Sequence, residues 1–251
     1  MTTLASLPSL LARAPRRRVR WSPGPSTRRG GRAADPSPDP RWSGPVVTFT
    51  ATAGTPVVEL STAVADALAL PRYDEVFPVL VAAATGASLA DALDMDGVVP
   101  SRLAVAMAWS ACHPGAPELD GALAAVRTLE RFPTATRDII GAIATEPVGG
   151  VIVGRHAAFV LAGHDRALHV LLDAPSRWRQ EALQSEHAWS ATAAQEHLRS
   201  VDRAQRRYAA RAHGVDVIDR SHYGVVVDAS GEDLASMTAV VVGEATRRGI
   251  A

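Results

Sequence analysis

The stretch from Val46 to Asp74 narrows the choice of fold more than any other. Val46-Val47-Thr48-Phe49-Thr50 is short, β-branched and apolar, the pattern of a buried strand. Ala51-Thr52-Ala53-Gly54-Thr55-Pro56 follows as a loop of small residues, Val57 to Leu68 returns to apolar spacing near the helical period, and the stretch ends in a new strand or a turn. Pro56 suits the start of that helix, where the N–H it lacks would have no intrahelical partner. A strand feeding a small-residue loop and a helix N-terminus holds phosphate well, because uncommitted N–H groups and the helix dipole point at the anion. The spelling departs from the common phosphate loop, G-x-x-x-x-G-K-[ST]: this loop has one glycine, and the whole chain has no lysine. On these residues alone, a phosphate cradle and an ordinary strand-to-helix turn both stay open.

Charge is balanced in total but not in place. Residues 1–45 hold nine arginines against only Asp35 and Asp39. The rest of the chain is therefore mildly acidic and offers no basic face for nucleic acid. Rich in Arg, Pro, Ser and Gly, residues 1–45 are expected to form a disordered arm, and 46–251 the folded domain. Leu4–Leu11 is weakly apolar, but its arginines follow rather than precede it, which makes a poor secretory signal. The single cysteine, Cys112, excludes an internal disulfide and fits a reducing, cytoplasmic compartment. No apolar run approaches the roughly 18 residues that cross a bilayer.

Further along, Phe77–Ala84, Leu89–Leu93, Arg102–Ala111, Leu119–Arg131 and Ala135–Thr145 read as helices, so that residues 72–147 look all-helical and inserted between strands. Asp94-Met95-Asp96-Gly97 reads as a solvated turn rather than a metal loop. Strands are expected at Gly149–Arg155, Ala167–Asp173 and His222–Asp228. Helices are expected after Pro175, over the polar, Arg-rich 188–212, and from the Ser230–Asp233 cap to about Thr246. Strands alternating with helices imply an α/β fold, a parallel sheet covered on both faces. Ligands of such sheets bind at the carboxyl ends of the strands, which here carry Thr52–Pro56, Arg155 and Asp173–Arg179. Arginines gathered there favour an anionic ligand. The histidines at 156, 164, 169, 187, 197, 213 and 222 lack zinc-ligand spacing, and His169 reads as a core or edge residue of its strand.

Several blocks resemble the cytidylate kinase-like proteins: Val151-Ile152-Val153-Gly154-Arg155-His156-Ala157, Leu168 to Pro175, Asp202-Arg203-Ala204 with Tyr208, and Ser221 to Asp228. Leu70-Pro71 with Tyr73-Asp74 resembles that family's entry into its monophosphate-binding region. The likeness covers about 46–246. It implies a P-loop kinase fold with a helical NMP-binding insertion (about 72–147) and a lid (about 185–220). It also implies transfer of the ATP γ-phosphate to CMP or dCMP with Mg²⁺. By position, the resemblance makes Gly54, Thr55, Pro56, Val57 and Val58 the phosphate loop. It places Asp74 and Arg155 at the monophosphate and Arg203 and Arg207 in the lid as catalytic cations. No resident metal ligand is implied. The loop departs from the family's G-A-G-G-S-like spelling: Pro56 and Val57 replace glycines, and Val58 replaces the hydroxyl residue. Gln205 stands where relatives often carry arginine. Pro56 removes a donor and Val57 crowds the place where backbone must approach phosphate. These departures imply low phosphotransfer activity. The other reading they leave open is a nucleotide-binding or regulatory protein of the same fold that has lost catalysis.

Overall fold

The computed structural model describes residues 42–74, 76–88, 90 and 119–250. Most of the expected helix Leu89–Leu93, the turn Asp94–Gly97, the helix Arg102–Ala111 and Cys112 lie outside the described residues, as does the arm before Trp42. Five parallel strands form one sheet: β1 (Val46–Ala51), β2 (Arg72–Tyr73), β3 (Gly150–Val153), β4 (Ala167–Asp173) and β5 (Val225–Asp228), in the order β2-β3-β1-β4-β5. The helices are α1 (Val57–Ala67), α2 (Phe77–Thr85), α3 (Leu119–Thr145), α4 (Ala157–Val160), α5 (Ser176–His187), α6 (Ala191–Ala212) and α7 (Leu234–Arg247). This is the α/β architecture expected from the alternation of elements.

The central strand is apolar on both faces because helices cover both. Val47 and Phe49 of β1 join Leu60 and Val64 of α1 and Met237 and Val241 of α7 in one core. Val46, one residue out of phase, packs with Phe77 and Leu80 of α2 and Ile140 and Ile143 of α3 in the other. Thr48 and Thr50 share that second face and are buried. Thr48 Oγ1 lies 2.9 Å from Nδ1 of His169 in β4, so the strand histidine is a satisfied interior group.

Four details differ from the sequence expectation. Arg72–Tyr73 is a strand, one of the two readings of the end of the Val46–Asp74 stretch, so the helical region begins after it rather than at 72: it pairs with β3 in the register Arg72↔Val151 and Tyr73↔Ile152. Two residues are too few to show an alternating pattern. The helices expected on either side of Pro133 are one continuous α3. An interior proline costs roughly 3 kcal/mol, and buried Phe132, Ile139, Ile140 and Ile143 on both sides of it outweigh that cost. His222 belongs to a 3₁₀ turn (Arg220–His222) capped by Asp219, and the strand begins only at Val225. Finally, the body begins before residue 46. The Ser43 and Gly44 N–H groups both donate to Ala144 O (3.1 and 2.9 Å), and Trp42 packs on the α2–α3 core.

Candidate functional site

β1 leads through α1 out to β2, whereas β4 leads out to β5 on the other side. The chain therefore diverges between β1 and β4, and the place beyond their carboxyl ends is the switch-point crevice where open parallel sheets usually bind ligands. Three elements meet there. Thr52 Oγ1 donates to Asp173 Oδ1 at the end of β4 (2.9 Å). Arg179, in the first turn of α5, donates through Nη1 to Ala53 O (3.3 Å) and through Nε to Ala174 O (3.1 Å). Its fork also grips Asp202 of α6 in two bonds of 3.1 and 3.0 Å. Gln205 of α6 reaches Ala51 O at 3.4 Å. Gly54 has φ +82°, and a Cβ there would come within 2.8 Å of Arg179 O, so both conformation and closeness demand glycine.

The loop spends much of its polarity on itself. Thr55 N–H and Oγ1 both donate to Thr52 O (3.3 and 2.7 Å), and Val57 N–H donates to Thr55 O (2.8 Å). Thr55 thus does not present the hydroxyl that Val58 lacks. α1 has no side-chain cap at its N-terminus, which leaves first-turn donors for an anion. Val57 packs partly against the α1–α7 core, while Val58 is exposed. These residues fit a phosphate chain on backbone donors. They do not fit Mg²⁺ held by the loop, because position 58 offers no oxygen and the nearest hydroxyls are committed. Among the described residues no cluster of three or more His, Cys, Asp or Glu side chains is placed to hold a metal.

The second part of the site lies beyond β3. Arg155 Nη1 donates to Asp74 Oδ1 (2.8 Å), and Arg72 Nη2 donates to Asp74 Oδ2 (2.7 Å). Arg72 is fixed in turn by its Nε bond to Ser61 Oγ in α1 (2.9 Å). The Arg155 guanidinium lies 5.2 Å from the Phe77 ring centroid, a cation–π contact. Asp74 and Arg155, both expected here from the sequence, therefore meet. Arg72 was not foreseen, and its only sequence signal is its position two residues before Asp74.

Arg155 and His156 both sit at positive φ, +52° and +53°. This sharp elbow sends Arg155 toward Asp74 and lays the His156 ring flat on Tyr208 of α6, with centroids 4.3 Å apart and planes 3° from parallel. His213 and Phe159 complete the stack, and His156 Nδ1 has no hydrogen-bond partner. Burial pushes the His156 imidazole down to about 4. His213 falls to about 4 as well, by burial first and then by the neighbouring His156 and Arg137 charges.

The remaining arginines are distributed otherwise than the sequence implied. Arg177 is exposed and pairs with Glu181 on its own helix (2.9 Å), so it does not point an unpaired charge into the crevice. Arg203 and Arg207 are exposed on the side of α6 opposite the buried Ala194 and Leu198. With Glu196, Arg199, Ser200 and Ala204 they line a cavity of about 410 Å³. Among the described residues, Asp202 and Gln205 of α6 reach the crevice by hydrogen bonds. Asp202 and Arg179 are 23 residues apart on different helices, and no local spacing announces that they meet.

Two comparisons with known proteins bear on this geometry. A crystal structure of an uncharacterized protein from Eubacterium ventriosum superposes with a TM-score of 0.55 at 12% identity, covering 80% of this chain and 98% of that one. At that identity the likeness is one of fold. No curated protein matches the chain. The sequence profile of the cytidylate kinase-like family matches residues 46–231, from the first residue of β1 past the end of β5. The chain belongs to the cytidylate kinase-like family.

Proposed function

We propose that the protein is a phosphotransferase that moves the ATP γ-phosphate to CMP, dCMP or a similar nucleoside monophosphate, at a rate well below that of typical kinases. The observation that supports this reading is that two parts suited to anions lie on one edge of the sheet. The β1–α1 loop lies in the switch crevice, and the Arg155–Asp74–Arg72 network lies at the end of β3 and β2. Family membership supports a kinase-like activity on nucleotides. ATP would supply the transferable phosphoryl group. In this reading the loop backbone and α1 N-terminus hold its phosphates, and Arg155, oriented by Asp74, holds the acceptor's phosphate. Arg203 and Arg207 act as lid cations only after α6 turns its outer side inward. Phosphoryl transfer rests on positioning and on positive charge near the moving group. The missing loop glycines and hydroxyl are therefore expected to lower the rate rather than change the reaction.

A second reading has its own observation. The Thr55 hydroxyl and the Thr55 and Val57 N–H groups are turned onto loop carbonyls, as suits a protein that binds nucleotide without turning it over. A coupled ADP-release assay with CMP, dCMP, UMP and AMP as acceptors separates the two. Measurable turnover below about 1 s⁻¹, under the usual kinase range of roughly 1–100 s⁻¹, is the expected result. Nucleotide binding with no ADP release for any acceptor would sink the kinase reading and leave the non-catalytic one.

A further inference from the structure

The chain has no lysine, so a side chain that is cationic at every working pH and lies against a phosphate in the β1–α1 loop is an arginine. Among the described residues, the guanidinium that is hydrogen-bonded to this loop is that of Arg179. Arg179 is buried, at 7% exposure, and its position is fixed by Ala174 O and Ala53 O. A buried guanidinium needs an anionic partner, and the fork of an arginine accepts carboxylate or phosphate in the same two-bond geometry. Here the partner is Asp202 of α6, which is more exposed than Arg179 (side chain 27% against 8%). Among the described residues, α6 meets β1 and its loop through the Gln205 bond to Ala51 O at 3.4 Å and through the packing of Ala194 and Leu198 with Ala53. The Asp202 carboxylate thus occupies a cation that touches the phosphate loop, and it is carried by a helix that meets that strand and loop, among the described residues, through one hydrogen bond and a small apolar contact.

We propose that Arg179 is the phosphate-binding cation of the β1–α1 loop, and that Asp202 fills its fork until a polyphosphate displaces it. This rests on the reading of the loop as a phosphate site. It makes phosphate binding compete with the seating of α6: a polyphosphate on Arg179 releases the helix from Asp202 onward. The loop then needs no lysine, because the positive charge comes from α5.

The test is titration calorimetry of the full chain with tripolyphosphate, and with ATP in the absence of acceptor. The variants are Asp202→Asn, Arg179→Gln, and the Arg179→Gln/Asp202→Asn double, which replaces the ion pair by neutral side chains of similar shape. Asp202→Asn should bind tripolyphosphate at least tenfold more tightly than the wild type, and the double variant should lose that gain. Tripolyphosphate should also speed amide exchange across residues 198–208 of the wild type, a readout that needs no variant to fold. The proposal is overturned if folded Asp202→Asn binds no more tightly than wild type, if neither binds, or if the double variant matches Asp202→Asn. Exchange over 198–208 that is unchanged or slowed by tripolyphosphate overturns it as well. Its failure is separable from failure of the kinase reading. Turnover with an unchanged Asp202→Asn affinity removes Arg179 alone. A tripolyphosphate gain without turnover on any acceptor removes the kinase and keeps the anion site.

Discussion

Arg155 and His156 hold adjacent left-handed conformations, each of which costs a side-chain-bearing residue roughly 1–2 kcal/mol. They keep them because both side chains are anchored on opposite sides, Arg155 by Asp74 and His156 by the Tyr208 ring. Arg155→Ala should weaken CMP binding by about 10- to 100-fold, since a charge-assisted bond is worth roughly 1.5–3 kcal/mol. The variant keeps the left-handed backbone and loses the bond that offsets it, so the thermal transition should also fall by roughly 2–4 °C, while Asp74 keeps Arg72; calorimetry and a melting curve read the two effects separately, and unchanged affinity would remove Arg155 from the site. The buried imidazoles make a second prediction at this scale. His156, His169 and His213 are each pushed to about 4, chiefly by burial, against about 6.5 in an unfolded chain. The unfolded state therefore takes up protons first as pH falls. Their contribution to stability is complete above about pH 6.5, declines as pH drops, and is gone below about 4. The melting temperature should fall between pH 6.5 and 4, and His156→Phe, which keeps a ring on Tyr208, should flatten that decline. An equally steep decline in the variant would show that other groups govern it.

At the scale of the elements, the β1–α1 unit was legible because each part has a local cause. β-branched residues make the strand, small residues the loop, and a proline and apolar spacing the helix, observed at Val57–Ala67. Asp74 and Arg155 were legible through the family resemblance, and both lie in one ion-pair network. What the sequence hid depends on partners far away in the chain. In the sequence Arg179 is one of several arginines at the sheet edge, and only its distant partner Asp202 sets it apart. For β2, the residues alone leave strand and turn both open, and pairing with β3 decides between them. The loop supplies the prediction that belongs here. Pro56→Gly, Val57→Gly and Val58→Ser together restore a donor, clear a branched side chain and add a hydroxyl. A single missing transition-state donor costs on the order of 2.7–4 kcal/mol, and each 1.36 kcal/mol is about tenfold in rate. The triple variant should therefore raise turnover or ATP affinity by at least about tenfold in the ADP-release assay. Val57 packs partly on the core, so the variant should also melt lower, and Val58→Ser alone, at an exposed position, should give part of the gain without that loss. No gain in a variant shown to be folded would mean that the loop's spelling does not limit the activity.

For the whole molecule, the alternation of strands and helices specified a parallel sheet, but the strand order β2-β3-β1-β4-β5, and with it the crevice between β1 and β4, follows from long-range pairing that no local pattern encodes. The start of the body escaped the sequence for a similar reason. Residues 42–45 share the polar, Pro- and Gly-containing composition of the arm, yet they are clasped by distant groups. Arg166 donates to Ser43 O (2.8 Å) and to Gly249 O (3.0 Å), tying the two ends of the fold together. The His164 ring meets Gly44 O at 2.8 Å, and Trp42 leans on the same imidazole. Gly149, at φ +62°, closes against Pro45, where a Cβ would clash with the carbonyl at 1.8 Å. Two truncations test where the body begins. Removing residues 1–41, whose composition offers little apolar surface to bury, should leave the melting temperature within about a degree of the full chain, on the scale of about 2–4 °C per kcal/mol for a domain of this size. Removing residues 1–45 strips Trp42, the Ser43 and Gly44 bonds and the acceptors of Arg166 and His164. At about 2 kcal/mol or more for a packed aromatic and its bonds, the transition should drop by roughly 4–8 °C. Equal melting temperatures for the two truncations would show that the clasp contributes nothing, and a drop already present on removing 1–41 would show that the arm itself packs on the body.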